Sequence, residues 1–192
     1  SIGKSEIDKF HMIDLAGNTL SEKGNLSFLH AYNYTLFAPT DAAMDIAYSN
    51  GLPSWADFEA TVNSDPDLAK QMVCTMRDFV YYHVINGTVY ADNTVAAGNY
   101  STFYSDKNSV IQKLKISGGG GTLDVQEIYI DGTGIQYGPT HSVQEGSATA
   151  NNMSRDIYLD DIRKQATKMT ASSFITIHGI NTPLCFNKTG QY

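Results

Sequence analysis

Hydrophobic and polar positions along this chain follow two periods, and the change falls near residue 86. Before it, apolar residues recur at helical spacing. The clearest case is Asp65 to Val84. At about 100° per residue, Leu68, Ala69, Met72, Val73, Met76, Phe79, Val80, His83 and Val84 fall in one arc of roughly 160°. Asp65 can cap this helix, and Pro66 suits its first turn. His83 lies inside the apolar arc, and Cys74 lies in the middle of the polar one. Shorter helices are predicted over 42–47, after a cap at Thr40-Asp41, and over 54–62, where Ser54 caps and Trp55, Phe58 and Val62 share a side. Residues 1–33 read as a helical segment with Ile7, Phe10, His11 and Asp14 at helical spacing, followed by a short turn over 27–32. Tyr34 to Ala38 is a β-rich run ended by Pro39.

After Asn86-Gly87 the period drops to two. Thr88 to Tyr90, Tyr100 to Tyr104, Ser109 to Ser117 and Thr122 to Ile130 read as strands. Val110, Gln112, Leu114 and Ile116 share one face, with Lys113 and Lys115 opposite. Gly118 to Gly121 links two strands as a hairpin. Residues 131–170 read as an insertion or loop, rich in Gly, Thr and Ser over 131–150. Within it, a helix capped by Ser154 and a strand over Met153 to Leu159 are both open readings. The chain closes with an alternating run, Ser172 to Ile180, whose pairing should end near Pro183. Helices followed by strands, without an internal repeat, make an α+β protein with one domain over 1–192.

Composition narrows the function classes. Only 17% of the 192 residues are charged, and the net charge is −7. Duplex nucleic acid and anionic membranes require basic patches, so neither is an expected partner. No run approaches the roughly 20 apolar residues of a membrane-spanning helix. The first residue is not Met, so the expectation is a piece of a longer protein, with any export signal or lipid anchor upstream. Cys74 and Cys185 are too few for a disulfide framework or a thiolate metal site, and are expected to be free.

Candidate chemistry is sparse. Neither a Gly-x-Ser-x-Gly nor a His-Glu-x-x-His pattern occurs, and His11, His30, His83, His141 and His178 lack metal-ligand spacing. Neither a metal nor a cofactor is expected. The acidic pairs Asp65/Asp67 and Asp160/Asp161 read as surface or helix-terminal charge. His83 is either a core histidine bonded to backbone or a polar side chain, or a ligand or catalyst. Tyr81 and Tyr82 either pack or face a partner. Asn-x-Ser/Thr sequons stand at Asn25, Asn33, Asn86, Asn99, Asn152 and Asn187.

Four segments carry a family resemblance. YTLFAPTDAAM (Tyr34 to Met44) resembles the first signature of the fasciclin domain, and FVYYHVINGTVY (Phe79 to Tyr90) its second, the Tyr-His motif. KLKISGGGGTLDV resembles the central hairpin, and SSFITIHGINTPL (Ser172 to Leu184) the closing strand. Departures are Ser172-Ser173 where Asn-Gly is usual, Asn181 in place of a common Asp, and a long 131–170 stretch. These features resemble a divergent bacterial branch of exported or lipid-anchored surface proteins.

The resemblance implies two small β-sheets forming a wedge, with a cluster of helices at one edge. It favours a strand over Asn152 to Leu159, and it makes Asp41 the helix cap, whose loss in Asp41→Ala would cost about 1 kcal/mol. Thr40, Asp41 and His83 are then expected to share a polar network between the signatures. Partner contact in the Tyr-His region falls on Tyr81 and Tyr82. The expected role is a non-enzymatic extracellular adhesion or interaction module, binding a cell-surface or matrix protein. Outer-membrane anchoring and further fasciclin domains are expected in the full-length protein. Two alternatives are a carbohydrate-binding module, with Tyr100, Phe103, Tyr104 and Tyr137 as candidate aromatics, and a structural spacer.

Overall fold

Pro39 ends strand β1 (Tyr34–Pro39), and Thr40 turns the chain directly into helix α1 (Asp41–Ser49). The structure, a computed structural model, describes residues 34–90, 95–119, 122–144, 151–155 and 175–192. The helical reading of 1–33 lies outside them. Thr40 has extended backbone angles and its Oγ1 accepts from the Ala43 N–H, so Thr40 is the cap. This corrects the assignment of the cap to Asp41, which is exposed at the first helical position.

Helix α2 (Trp55–Thr61) starts with a reciprocal cap: Ser54 Oγ accepts from the Asp57 N–H while Asp57 accepts from the Ser54 N–H. Helix α3 (Pro66–Tyr82) is capped by Asp65, whose carboxylate accepts from the Leu68 N–H at 3.0 Å. Its apolar arc divides between two neighbours. Phe79 packs with Ala47 and Leu52 at α1, and Ala69 and Val73 pack with Phe58 of α2.

The strand after α3 begins sooner than its sequence predicts. β2 is Val84–Asn86 rather than 88–90, because Val84 pairs with Leu36 of β1 as soon as His83 closes the helix. β3 (Gly98–Ser105), β4 (Ile111–Gly119) and β5 (Thr122–Asp131) follow as antiparallel neighbours. The composition of 131–144 predicts a loop, and the structure corrects this. Gly134, at φ +126°, completes a tight turn, and β6 (Gly134–Gln144) pairs back along β5. Much of β6 is solvent-exposed, so it carries few of the apolar residues that would mark it as a strand. β7 (Asn151–Arg155) takes the extended reading of the ambiguous stretch, while 156–174 lie outside the described residues.

The last strand, β8 (Ile175–Ile180), pairs with β7 and, in parallel, with β1. The pairing therefore runs from β1 round to β8 and closes. Among the described residues the result is one curled, mixed sheet, without a division into the two sheets of a wedge. Its core holds Phe37, Ile85, Leu114, Ile116, Leu123, Val125 and Ile180, with Tyr82 of α3 and Leu184 sealing it. Two buried polar side chains fix the crossing after β2. Thr35 Oγ1 donates to the Gly87 carbonyl and accepts from the Val89 N–H, and His178 Nε2 donates to the Val89 carbonyl at 2.8 Å.

Candidate functional site

One inward row of β5 reads Leu123, Val125, Glu127, with Glu127 directly opposite the buried Leu114 of β4. A carboxylate thus ends an apolar row, with its residue only 1% exposed. Burial at that level requires hydrogen-bond donors. Tyr129, two residues along the same face, donates its hydroxyl to Glu127 Oε2 at 2.9 Å. The Cys185 N–H donates to Oε1 from the segment after β8.

The local fold makes room for this. The β5–β6 register shifts between Gln126 and Ile128, leaving Gly138-Pro139 opposite Glu127 as a bulge. Proline has no N–H to give a ladder, so a bulge suits Pro139. A Cβ on Gly138 would stand 2.7 Å from the Tyr129 ring, so only glycine lets the ring lie there undisturbed.

His141 of β6 faces the same carboxylate. Its Nδ1 lies 2.7 Å from Thr182 Oγ1, while its Nε2 is 3.8 Å from Glu127 Oε1, too far for a direct hydrogen bond. That Nε2 is buried and has no hydrogen-bond partner among the described residues. Above these groups a cleft of about 480 Å³ opens to solvent between α1, the β5–β6 hairpin and the segment after β8. Tyr137 stands on its rim, 57% exposed, with the Lys115 Nζ 5.3 Å from its ring centre.

Burial and then the Glu127 charge push the Tyr129 hydroxyl well above the ordinary phenol range. Tyr192 is raised mainly by burial, and the Cys185 thiol is raised chiefly by burial as well. Tyr129, Tyr192 and Cys185 are therefore held in their protonated forms and act as hydrogen-bond donors or spectators rather than nucleophiles. No cluster of three metal-ligating side chains occurs among the described residues. The arrangement is suited to holding a polar group, with one carboxylate and one imidazole converging on a gap.

The family model for the fasciclin domain matches residues 11–153. The chain belongs to the fasciclin family. No curated protein shows a significant match to it. Fasciclin domains are typically non-enzymatic adhesion or interaction modules, secreted or displayed on a surface. No described helix is long and apolar enough to cross a membrane.

Within this fasciclin domain the Tyr-His motif is split by burial. Tyr82 is 0% exposed, edge-on to Tyr104 and Phe186. This corrects its placement as a partner-facing residue: it seals the sheet. Its hydroxyl faces the Ile128 backbone without a hydrogen bond of good geometry. Tyr81 is half-buried, with the Arg77 guanidinium 6.0 Å from its ring centre. His83 takes the core reading, bonded to Phe79 and Leu184 through its two ring nitrogens. The polar network of Thr40, Asp41 and His83 is not formed. Thr40 Oγ1 instead approaches Asn181 Oδ1 at 3.5 Å, and the two signatures meet through main chain, where the Phe37 N–H donates to the His83 carbonyl at 2.9 Å.

Of the candidate aromatics, Tyr100 and Tyr104 pack against the core, Phe103 is half-buried, and Tyr137 is exposed. Asn86, Asn99 and Asn187 are exposed. Sequence reasoning passed over Glu127 and His141. The signal for Glu127 is present in the alternation Leu123, Val125, Glu127, where a carboxylate occupies an apolar position. His141 carries none, because it lies in a segment whose composition reads as loop.

Proposed function

We propose that this fasciclin domain is a non-enzymatic adhesion module acting outside the cell, which docks a surface or matrix protein beside the cleft. The carrying observation is that Ile46 of α1 and Tyr137 of β6 are both exposed and line the same cleft. Tyr48 and Ile135, their near neighbours in sequence, are exposed too. Single exposed apolar residues are ordinary, but two that line one concavity, Ile46 and Tyr137, are a feature of interaction sites. Tyr81, on α3, is the other contact this reading retains. Display on a bacterial surface, through a lipid anchor to the outer membrane and beside further fasciclin domains, completes the proposal.

A second reading, glycan binding, is favoured by the same cleft, where Tyr129 and Tyr137 stand beside Asn50 and Gln136. The test is an array of matrix proteins, cell-surface proteins and glycans probed with the labelled chain, Ile46→Ala/Tyr137→Ala and Tyr81→Ala. Saturable protein binding lost in the double variant supports docking beside the cleft. Loss in Tyr81→Ala alone moves the contact to α3. Silence on the array favours a spacer role.

A further inference from the structure

We infer that the gap between Glu127 and His141 is a subsite for a hydroxyl of a neutral saccharide. The inference rests on the glycan reading above and names the chemistry of its site.

Glu127 Oε1 and His141 Nε2 stand 3.8 Å apart, and the two side chains are only 2% and 11% exposed. The Nε2 atom itself is buried and has no hydrogen-bond partner among the described residues, Glu127 standing beyond hydrogen-bond reach. Buried polar atoms of this kind are costly unless something completes them. Thr182 Oγ1 can donate to Nδ1 or accept from it; in the tautomer where it donates, Nε2 carries the proton beside the carboxylate. A hydroxyl oxygen placed there accepts from Nε2–H and donates to the carboxylate. In that tautomer such a group satisfies both sides at once, which an ammonium, having only donors, does not.

The surroundings select the rest of the ligand. The volume of about 480 Å³ lies within the range of small-molecule sites. Tyr137 offers an aromatic surface at the rim for the apolar face of a sugar ring. Gln136 and Asn50 line the same cleft and supply amide donors and acceptors for further hydroxyls. Anionic ligands are disfavoured, because the floor holds a carboxylate and the nearby Lys188 is already paired with Asp131 at 3.2 Å.

The test titrates the chain with methyl glycosides of glucose, galactose and mannose, which present a terminal sugar, and with neutral tetrasaccharides, which present an internal one. Tetraglucosamine serves as the cationic comparator. Calorimetry and amide spectra are followed up to about 10 mM ligand, which detects millimolar affinity. Saturable binding of a neutral sugar, with shifts at Glu127, 136–141 and 182–188, is expected. Tyr137→Ala, an exposed change that spares the core, should weaken it about tenfold, as should His141→Ala with an unchanged circular dichroism spectrum. Sugar binding whose shifts map elsewhere, or that ignores both variants, overturns this subsite and leaves the glycan reading standing. Binding of tetraglucosamine alone overturns it in favour of an amine. Failure of every sugar overturns both subsite and glycan reading, without touching protein docking, which the array measures separately.

Discussion

His83 Nε2 accepts the Leu184 N–H at 3.0 Å, across 101 positions of chain. Its Nδ1 lies 2.7 Å from the Phe79 carbonyl, so the hydrogen bonds assign the proton to Nδ1. Both bonds coexist only while the ring is neutral. Burial holds its pKa down to about 4. A histidine depressed on folding stabilises the fold fully above its unfolded value of about 6.5, and that contribution is lost as pH falls toward the folded value. Burial lowers His178 in the same direction. We expect the urea midpoint of the wild-type chain to fall between pH 6.5 and 4 more steeply than that of His83→Gln. Parallel slopes would show that His83 does not carry the acid sensitivity.

The cap assignment separates two neighbouring residues. Thr40→Ala removes the acceptor of the Ala43 N–H and should cost about 1 kcal/mol. Asp41→Ala removes only a charge at the exposed first turn of α1, where such charges are generally worth about 0.3–1 kcal/mol at low ionic strength and less in salt. Thermal melts of the two variants in 0.15 M salt should rank Thr40→Ala as the less stable. The reverse ranking would return the cap to Asp41.

Tyr82 offers a test of burial against binding. Among the described residues its hydroxyl makes no hydrogen bond of good geometry, so Tyr82→Phe should leave stability unchanged or slightly raised. Tyr82→Ala empties a site at the centre of the core and should cost about 3–5 kcal/mol. A partner lost by Tyr82→Ala but kept by Tyr82→Phe is thus lost to unfolding. A well-folded Tyr82→Ala domain would contradict this placement.

The Glu127 carboxylate should govern thiol reactivity nearby. Burial raises the Cys185 thiol, and the charge of Glu127 adds to it. Glu127→Gln removes that charge and weakens the acceptor of the Cys185 N–H, so alkylation of Cys185 at pH 8 should accelerate. Cys74, on α3, is the internal reference and should keep its rate. Equal rates for Cys185 in both proteins would mean that the carboxylate does not act on the thiol.

What the sequence discloses follows its periodicity. Asp65-Pro66 and the arc from Leu68 to Val80 mark α3 because cap, proline and apolar spacing agree, and the structure places the helix at Pro66–Tyr82. His83 within that arc is legible as a core histidine for the same reason. β6 is hidden because a strand with a largely solvated surface needs few apolar residues, and its Gly138-Pro139 bulge looks like a turn. The cleft is hidden with it. Glu127, His141 and Cys185 come from three separate segments, and only the register of β5 on β6 and the path after β8 bring them together. Tyr82 misleads, since the same helical spacing that puts it on the polar arc of α3 lets it seal the sheet once β3 packs beside it.

The parallel pairing of β1 with β8 has a kinetic consequence. Tyr34 meets Ile175, so the first described strand cannot be completed until roughly 140 further residues exist. At synthesis rates of ~5–20 residues per second that is a wait of roughly 7 to 28 s. Until β2 has been made both edges of β1 are unpaired, and from then on β1 holds β2 on one edge while the other stands open to any passing strand. A nascent chain carrying several such domains would therefore expose several open edges in succession. The safest order of assembly is one in which each domain closes before the next β1 emerges.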